Sequence, residues 1–301
     1  MHNAFVTGRL SLFVIVIANA TPCFMRYRYS ERDTMLYALS LGAGMDPCDE
    51  QALRLCYEDR LQALPTMAVV LAYPGFWAKN PATGINWVKL VHGEQQLHLH
   101  QVLPSAGEVL GYSRVTHVID KGADKGALMI SERKVCEANT GAVIATMTQT
   151  TFMRGDGGFT QRGQRSDDAP ASRPAVPSRP PDMKHQLASR PESALLYRLM
   201  GDYNPLHADP AVAIAAGFKQ PILHGLASFG IAARSLIESC AERNPAGLVD
   251  IGVRFSSPVY PGETLETSIW KLDEPGAYAF QTKVLERDLI VLSHGTARVA
   301  V

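Results

Sequence analysis

The chain has 301 residues, of which 46% are hydrophobic and 19% are charged, a composition typical of a globular protein with one large or two ordinary domains. Lysine plus arginine equals aspartate plus glutamate at 29 each, so no net charge favours nucleic acid as a partner. The five cysteines are scattered without CxxC or Cys/His spacing, which argues against a structural zinc and indicates a reducing, cytoplasmic compartment. Small-molecule chemistry is the favoured class of function.

Residues 1–25 are interpreted as an N-terminal extension. Arg9, the apolar run LSLFVIVIA and the small-residue triplet at 18–20 have the shape of a secretory signal, and the run is too short to span a membrane. The alternative, which we favour, is that translation starts at or near Met25 and that the extension has no role in the fold.

The rest of the chain is interpreted as two repeats, residues 26–154 and 188–301. Residues 155–187 between them are rich in proline, glycine and arginine without apolar periodicity, which predicts a linker. LYAL at 36–39 matches LYRL at 196–199 at an offset of 160, and each half ends in alternating, strand-like runs. A tandem duplication follows.

Each half predicts a helix followed by hairpin-connected strands, which is the pattern of an α+β fold. The second half contains the helix GLASFGIAARSLIESC, residues 225–240. Its small residues would let a curved sheet close tightly around it. They are Ala227, Gly230, Ala232 and Ala233. Two such units side by side are expected to share one long sheet.

The stretch GDYNPLHADP, which begins at Gly201, follows a helix-like run and carries Asp202, Asn204 and His207. Taken alone, it is a helix end and a turn in which the polar side chains bond their own backbone. The first repeat argues for more than a turn, because at the offset of 160 the three polar positions become glycine, glycine and proline. The polar set is therefore interpreted as functional.

The surroundings of this loop narrow its chemistry. Gly225 begins the long helix, where its N–H can stabilise an oxyanion, whereas His224 is interpreted as a packing or capping residue. No GxSxG motif or nearby cysteine supplies a nucleophile, and Ser228 has no obvious base. Asp202 and His207 alone fall short of a metal site. General acid and base action on a water remains.

The stretch GDYNPLHADPAVAIAAGFKQPILHGL resembles the signature of the (R)-specific 2-enoyl-CoA hydratases, or hydratase 2, of the MaoC-like group. Further segments that look like family segments occur in the right order over nearly all of residues 26–301. They are YSERDTMLYALSLGAG, LPTMAVVLAYPGFW, WVKLVHGEQQLHLHQVLP, VIDKGADKGA and FSSPVYPGETLETSIWK. The resemblance implies a double hot-dog fold, with two repeats that each wrap an antiparallel sheet around a central helix. Only the C-terminal repeat would be catalytic.

The resemblance also implies roles for individual residues. Asp202 and His207 would be the catalytic pair, Asn204 would orient the water or His207, and Gly225 would donate to the thioester oxygen. Four further positions would contact the substrate, namely His92, Gly93, Lys121 and Phe255. No metal or redox cofactor is expected, since CoA is part of the substrate. Neither a membrane nor a nucleic acid is an expected partner, and a homodimer is expected from the family only.

The expected reaction is reversible hydration of trans-2-enoyl-CoA to (R)-3-hydroxyacyl-CoA, in fatty acid metabolism or β-oxidation. Three alternatives stay open from the sequence: a hot-dog acyl-CoA thioesterase, a dehydratase that acts on acyl carrier protein, and a non-catalytic acyl-CoA binding protein. The acyl chain is not readable from the sequence.

Overall fold

The computed structural model describes residues 24–300, so that the N-terminal extension lies outside the described residues apart from Phe24 and Met25. The helices are α1 Glu31–Ser40, α2 Glu50–Leu53, α3 Ser193–Tyr197, α4 Pro210–Ala215 and α5 Gly225–Cys240. The strands are β1 Met25–Tyr29, β2 Leu90–Leu99, β3 Gly107–Asp120, β4 Ala127–Glu137, β5 Val143–Met153, β6 Met183–Ala188, β7 Leu248–Phe255, β8 Thr264–Lys271, β9 Ala277–Val284 and β10 Leu289–Val299. None of the helices in this part of the chain is both long and apolar enough to span a membrane.

All ten strands form one antiparallel sheet in the order β1-β3-β4-β5-β2-β7-β10-β9-β8-β6. The order of the first five strands is repeated in mirror image by the last five, which confirms the α+β double hot-dog prediction. The two halves join where β2 pairs with β7, from Glu94 opposite Arg254 to His98 opposite Asp250. The shared long sheet expected from the sequence is therefore formed at this seam.

Helix α5 is the central helix of the second repeat and has the predicted bounds. It packs on β6, β7, β8 and β10. Its small residues are fully buried, and a Cβ at Gly230 would lie 2.6 Å from a Leu41 methyl carbon and 3.2 Å from the Tyr37 hydroxyl. Glycine at this position thus allows the helix to contact the first repeat closely.

The first repeat lacks a central helix of comparable length. At the offset of 160 from the start of α5, the chain forms only a short 3₁₀ segment, Pro65–Val69. Valines at 69 and 70 and the Pro74-Gly75 pair disfavour its continuation as an α-helix. The expectation of a central helix in both repeats thus holds fully for the second and only in this shortened form for the first.

The predicted linker crosses the sheet and is anchored to it. Its last residues already belong to β6, so the second repeat begins near Met183. Arg173 donates to Thr296 Oγ1 at 3.1 Å and lies 3.8 Å from the Glu94 carboxylate. A Cβ at Gly252 would overlap the Arg173 guanidinium, so the bare glycine makes room for the linker at the seam between the repeats.

Candidate active site

The loop after α3 has the turn geometry that its sequence predicts. Gly201 ends the preceding 3₁₀ turn in the left-handed region at φ +111°. The Asn204 N–H donates to Asp202 Oδ1 at 3.2 Å, and Asn204 Oδ1 accepts from the Leu206 N–H at 3.1 Å. Asn204 therefore holds the Pro205–His207 turn. Its proposed contact with water or His207 stays a prediction.

His207 is held as a neutral base by its surroundings. Its side chain is buried, and Nδ1 lies 2.8 Å from the carbonyl oxygen of Ile222. Because a carbonyl only accepts, Nδ1 carries the proton and Nε2 presents a lone pair. Burial lowers the pKa of His207 below its ordinary value, and this outweighs the opposing effects of the Ile222 carbonyl and the Asp202 charge.

Asp202 and His207, the predicted catalytic pair, are brought together. A carboxylate oxygen of Asp202 and a ring nitrogen of His207 lie within 4.8 Å of each other. Two hydrogen bonds of about 2.8 Å to one shared water span such a gap. Asp202 is exposed whereas His207 is buried, so a water held here is reached from solvent on one side only.

His224, interpreted from the sequence as a packing or capping residue, is buried and packs beside the predicted pair, and its side chain makes no capping hydrogen bond within the described part of the chain. Its ring stacks on His207 with centroids 3.7 Å apart and an angle of 25° between planes. Its Nε2 lies 3.2 Å from the backbone oxygen of Asp202, and Tyr197 covers its other side at 4.9 Å. Burial, followed by the proximity of His207, lowers the pKa of His224 to about 3. It thus contacts both members of the predicted pair.

Gly225 follows His224 and begins α5, where its N–H has no intrahelical acceptor. Gly225 is exposed, and a Cβ there would lie 3.3 Å from the Phe255 ring. The N–H at the positive end of the helix is therefore open to an oxyanion, and a side chain at this position would narrow its approach.

His92 and Gly93 come from the first repeat and lie beside this helix end. The His92 ring packs edge-on against Phe255 at 4.7 Å, and a bulge separates His92 from Glu94 in the pairing with β5. Burial lowers the pKa of His92 to about 4, and its Nε2 is buried with no hydrogen-bond partner within residues 24–300. Three of the four predicted substrate contacts thus lie at the site.

Lys121, the fourth, lies elsewhere. It is in the β3–β4 turn, where its N–H donates to the Gly126 carbonyl at 3.0 Å. Strands β4 and β5 separate β3 from β2 and His92. The structure does not bring the Lys121 side chain to the cluster, and its contact with substrate stays a prediction.

The first repeat retains the backbone of this site without its chemistry. Asp49 and Asp209, at the offset of 160, both cap a short helix by accepting from the N–H groups two and three residues on. A depression of about 140 Å³ borders Pro65. The positions equivalent to Asp202, Asn204, His207, His224 and Gly225 are nevertheless occupied by groups without acid–base function. They are Gly42, Gly44, Pro47, Leu64 and Pro65.

A metal ion is a second possible occupant of the site. One ligand atom each of Asp202, His207 and His224 lie within 4.8 Å of one another, so a third potential ligand joins the two seen in the sequence. Each histidine donates one ring N–H to a carbonyl, which leaves its other ring nitrogen as the available ligand atom. The two rings are stacked with an angle of 25° between their planes. A water shared by Asp202 and His207 needs only two of these three ligand atoms.

Comparisons with known proteins match both halves of the chain to family profiles. Residues 172–294 match the profile of the MaoC like domain, and residues 27–155 match that of the MFE-2 hydratase 2 N-terminal domain. The chain is 40% identical to 3-hydroxyacyl-thioester dehydratase Y of Mycobacterium tuberculosis, over 88% of this chain and 89% of the relative. It is 37% identical to a probable enoyl-CoA hydratase 2 of Dictyostelium discoideum, over 91% and 92%. The crystal structure of a MaoC-like dehydratase from Phytophthora capsici superposes with a TM-score of 0.82 at 34% identity, covering 95% of this chain and 98% of that one.

Proposed function

The chain belongs to the MaoC-like dehydratase family, with an MFE-2 hydratase 2 N-terminal domain in its first repeat, and on that premise we propose that it hydrates trans-2-enoyl-CoA to (R)-3-hydroxyacyl-CoA. It is a hydro-lyase of fatty acid metabolism, and the reaction is reversible. The observation that carries the chemistry is the approach of the Asp202 carboxylate and a ring nitrogen of His207 to within 4.8 Å, beside the open N–H of Gly225.

The reaction begins with polarisation of the thioester. Attack of water at C3 of the enoyl group moves negative charge onto the carbonyl oxygen, and this charge has to be stabilised. The Gly225 N–H, which begins α5 without an intrahelical acceptor, is the donor assigned to it in this proposal. Loss of one such donor costs about 3 kcal/mol of barrier in other enzymes.

The water is held and deprotonated by the pair. His207 Nε2 offers a lone pair, and Asp202 accepts a second hydrogen bond from the same water. The oxygen bonds to C3 and the proton returns to C2 from the same face, which gives syn addition and the (R) product. This division of labour is part of the proposal.

Crotonyl-CoA tests the function. Loss of the enoyl absorbance without release of free thiol, followed by chiral analysis that gives the (R) isomer, is the expected result. Release of thiol would instead identify a thioesterase, and tight binding without turnover would identify a binding protein. A panel of enoyl-CoAs of increasing length, each also offered on acyl carrier protein, then defines the acyl chain and the carrier.

The proposal includes no metal and no redox cofactor, because a neutral imidazole, a carboxylate and a backbone N–H supply every step. Lys121 is proposed as a remote contact for the CoA portion, and Asn204 as the residue that keeps the loop in its active shape.

The site of action and assembly are proposed as cytoplasmic and homodimeric. Four cysteines in the described part of the chain are unpaired, which supports a reducing compartment, while several relatives, among them an enoyl-CoA hydratase 2 of Arabidopsis thaliana, are named as peroxisomal. Cell fractionation and light scattering at the purified protein's working concentration test the two statements.

A further inference from the structure

His224 contacts each of the groups to which the reaction is assigned. It stacks on His207 at 3.7 Å, its Nε2 reaches the backbone oxygen of Asp202 at 3.2 Å, and it directly precedes Gly225. The base, the carboxylate-bearing loop and the oxyanion donor therefore meet at one side chain. A shift of this ring would displace all three relative to one another.

The hydrogen bond defines the tautomer of His224. A backbone carbonyl accepts, so Nε2 carries the proton, and Nδ1 is buried without a hydrogen-bond partner among the described residues. The groups that face the ring are Tyr197 and Arg198 at the end of α3, together with Asp202 and His207 of the loop. Burial first, and then the nearby His207 and the Arg198 guanidinium, disfavour protonation of His224, which leaves a neutral ring in contact with the base.

The first repeat shows that the fold does not require histidine here. Leu64 occupies the equivalent position and is 1% exposed, as buried as His224 at 2%. In that repeat the positions of Asp202 and His207 are Gly42 and Pro47. The imidazole is thus present in the repeat with the acid–base pair and replaced by an aliphatic side chain in the repeat without it.

We propose that His224 is a positioning residue, which aligns His207 by stacking and the Asp202 backbone by donating a hydrogen bond. The inference rests on the proposed function. His224 does not touch the reacting atoms and exchanges no proton with substrate. It acts by keeping the lone pair of His207 and the Asp202 carboxylate directed at one water.

Three substitutions separate its two contacts. His224→Phe keeps a stacking ring and loses the donor, His224→Asn keeps a donor and loses the stack, and His224→Leu copies the first repeat and loses both. Misplacing catalytic groups by about 1 Å costs on the order of 100-fold in rate. With crotonyl-CoA we expect kcat to fall by about 100-fold in the leucine variant and by about 10-fold in each of the others, with KM changed by less than about threefold.

The pH dependence of kcat/KM provides a measurement that a loss of stability alone would not change. In His224→Asn the smaller side chain admits water to His207, so the pKa of His207 rises toward its ordinary value. The acid limb of kcat/KM should then shift to higher pH, whereas in His224→Phe it should stay where it is in the wild type. His185→Phe, at a histidine paired with Glu238 outside the site, is the matched control and should leave kcat unchanged.

The outcomes are distinct. A wild-type protein that hydrates none of the enoyl thioesters of the panel refutes the function, whereas the role of His224 is tested on whichever of them the wild type hydrates. If the wild type is active and folded His224→Phe and His224→Asn both keep kcat within about twofold, the positioning role is wrong. It is equally wrong if activity falls only with the folded fraction, measured by circular dichroism, while both acid limbs stay in place. These two variants decide the question even if the leucine variant does not fold.

Discussion

Tyr37 and Tyr197 occupy equivalent positions in the two repeats and pack against each other, with ring centroids 5.8 Å apart and an angle of 50° between the rings. Both are fully buried, and α1 and α3, which end beside them, are in contact. Within residues 24–300, the aromatic contacts continue on the side of the second repeat, from Tyr197 to His224 and on to His207. The centre of the duplicated fold is thus joined by direct packing to the single set of acid–base groups.

Asp202→Asn and His207→Gln should each lower kcat for crotonyl-CoA by about 100-fold or more, because general acid–base assistance contributes about 10²–10⁴. Initial rates of enoyl absorbance loss measure this. Asp209→Asn is the matched control, since it makes the same change at a nearby loop carboxylate whose function is to cap α4. Near-normal turnover in either site variant would exclude the proposed mechanism.

Gly225→Pro should lower kcat by about 10²–10³ with the fold retained. Proline removes the N–H proposed as the oxyanion donor and is compatible with the first position of a helix, as Pro65 shows in the first repeat. Gly225→Ala keeps the N–H and adds bulk against Phe255, so it measures the steric part alone. Equal losses in the two variants would show that crowding, and not the missing donor, accounts for the effect.

Stability should decline as the pH falls from about 6.5 toward 4. In the unfolded chain a histidine takes up its proton near pH 6.5. In the folded protein, burial lowers the pKa of His92 to about 4, of His224 to about 3, and of His207 below its ordinary value. The unfolded state therefore binds more protons across this range, and the free energy of unfolding decreases with decreasing pH.

Urea titrations at pH 7, 5.5 and 4.5 measure this decline, and carboxylates contribute to it as well. His92→Phe should make the decline less steep, whereas the control His98→Gln, at an exposed histidine of the same strand, should reproduce the wild-type slope closely. A slope that is the same in His92→Phe as in the wild type would contradict the assignment of this proton uptake to the buried site.

Removal of metal should leave turnover unchanged. Protein dialysed against a strong chelator is expected to hydrate crotonyl-CoA at the rate of untreated protein, because the proposed mechanism uses only a carboxylate, a neutral imidazole and a backbone N–H. Loss of activity that an added divalent cation restores would instead make Asp202, His207 and His224 a metal site.

Local patterns predicted those elements whose determinants lie close together in the sequence. Helix α5 was bounded correctly because its apolar and small residues form one continuous run, and the loop turn followed from Gly201 and Pro205. The strand order could be inferred only through the duplication. The sequence predicts a central helix in the first repeat, where the structure has only the short 3₁₀ segment Pro65–Val69. The residues that disfavour a longer helix are the valines at 69 and 70 and the Pro74-Gly75 pair.

The site was predicted in part for a related reason. Asp202 and His207 are five residues apart on a stiff turn, so sequence proximity brought them together. His224 reaches them only because α5 packs back against that turn, and a spacing of 17 residues from His207 carries no local signal. The one indication in the sequence is that the first repeat, which lacks the acid–base pair, has Leu64 at the position equivalent to His224.

The seam between β2 and β7 has a consequence for stoichiometry. Two halves that would be separate subunits in a symmetric pair are here one polypeptide, and only one of them carries the reactive groups. A tight-binding inhibitor should therefore saturate at one equivalent per 32.8 kDa chain, never two. The first repeat carries none of the reactive groups, so its central helix can be short without altering them. In a symmetric dimer of identical subunits, the same change would occur in both subunits.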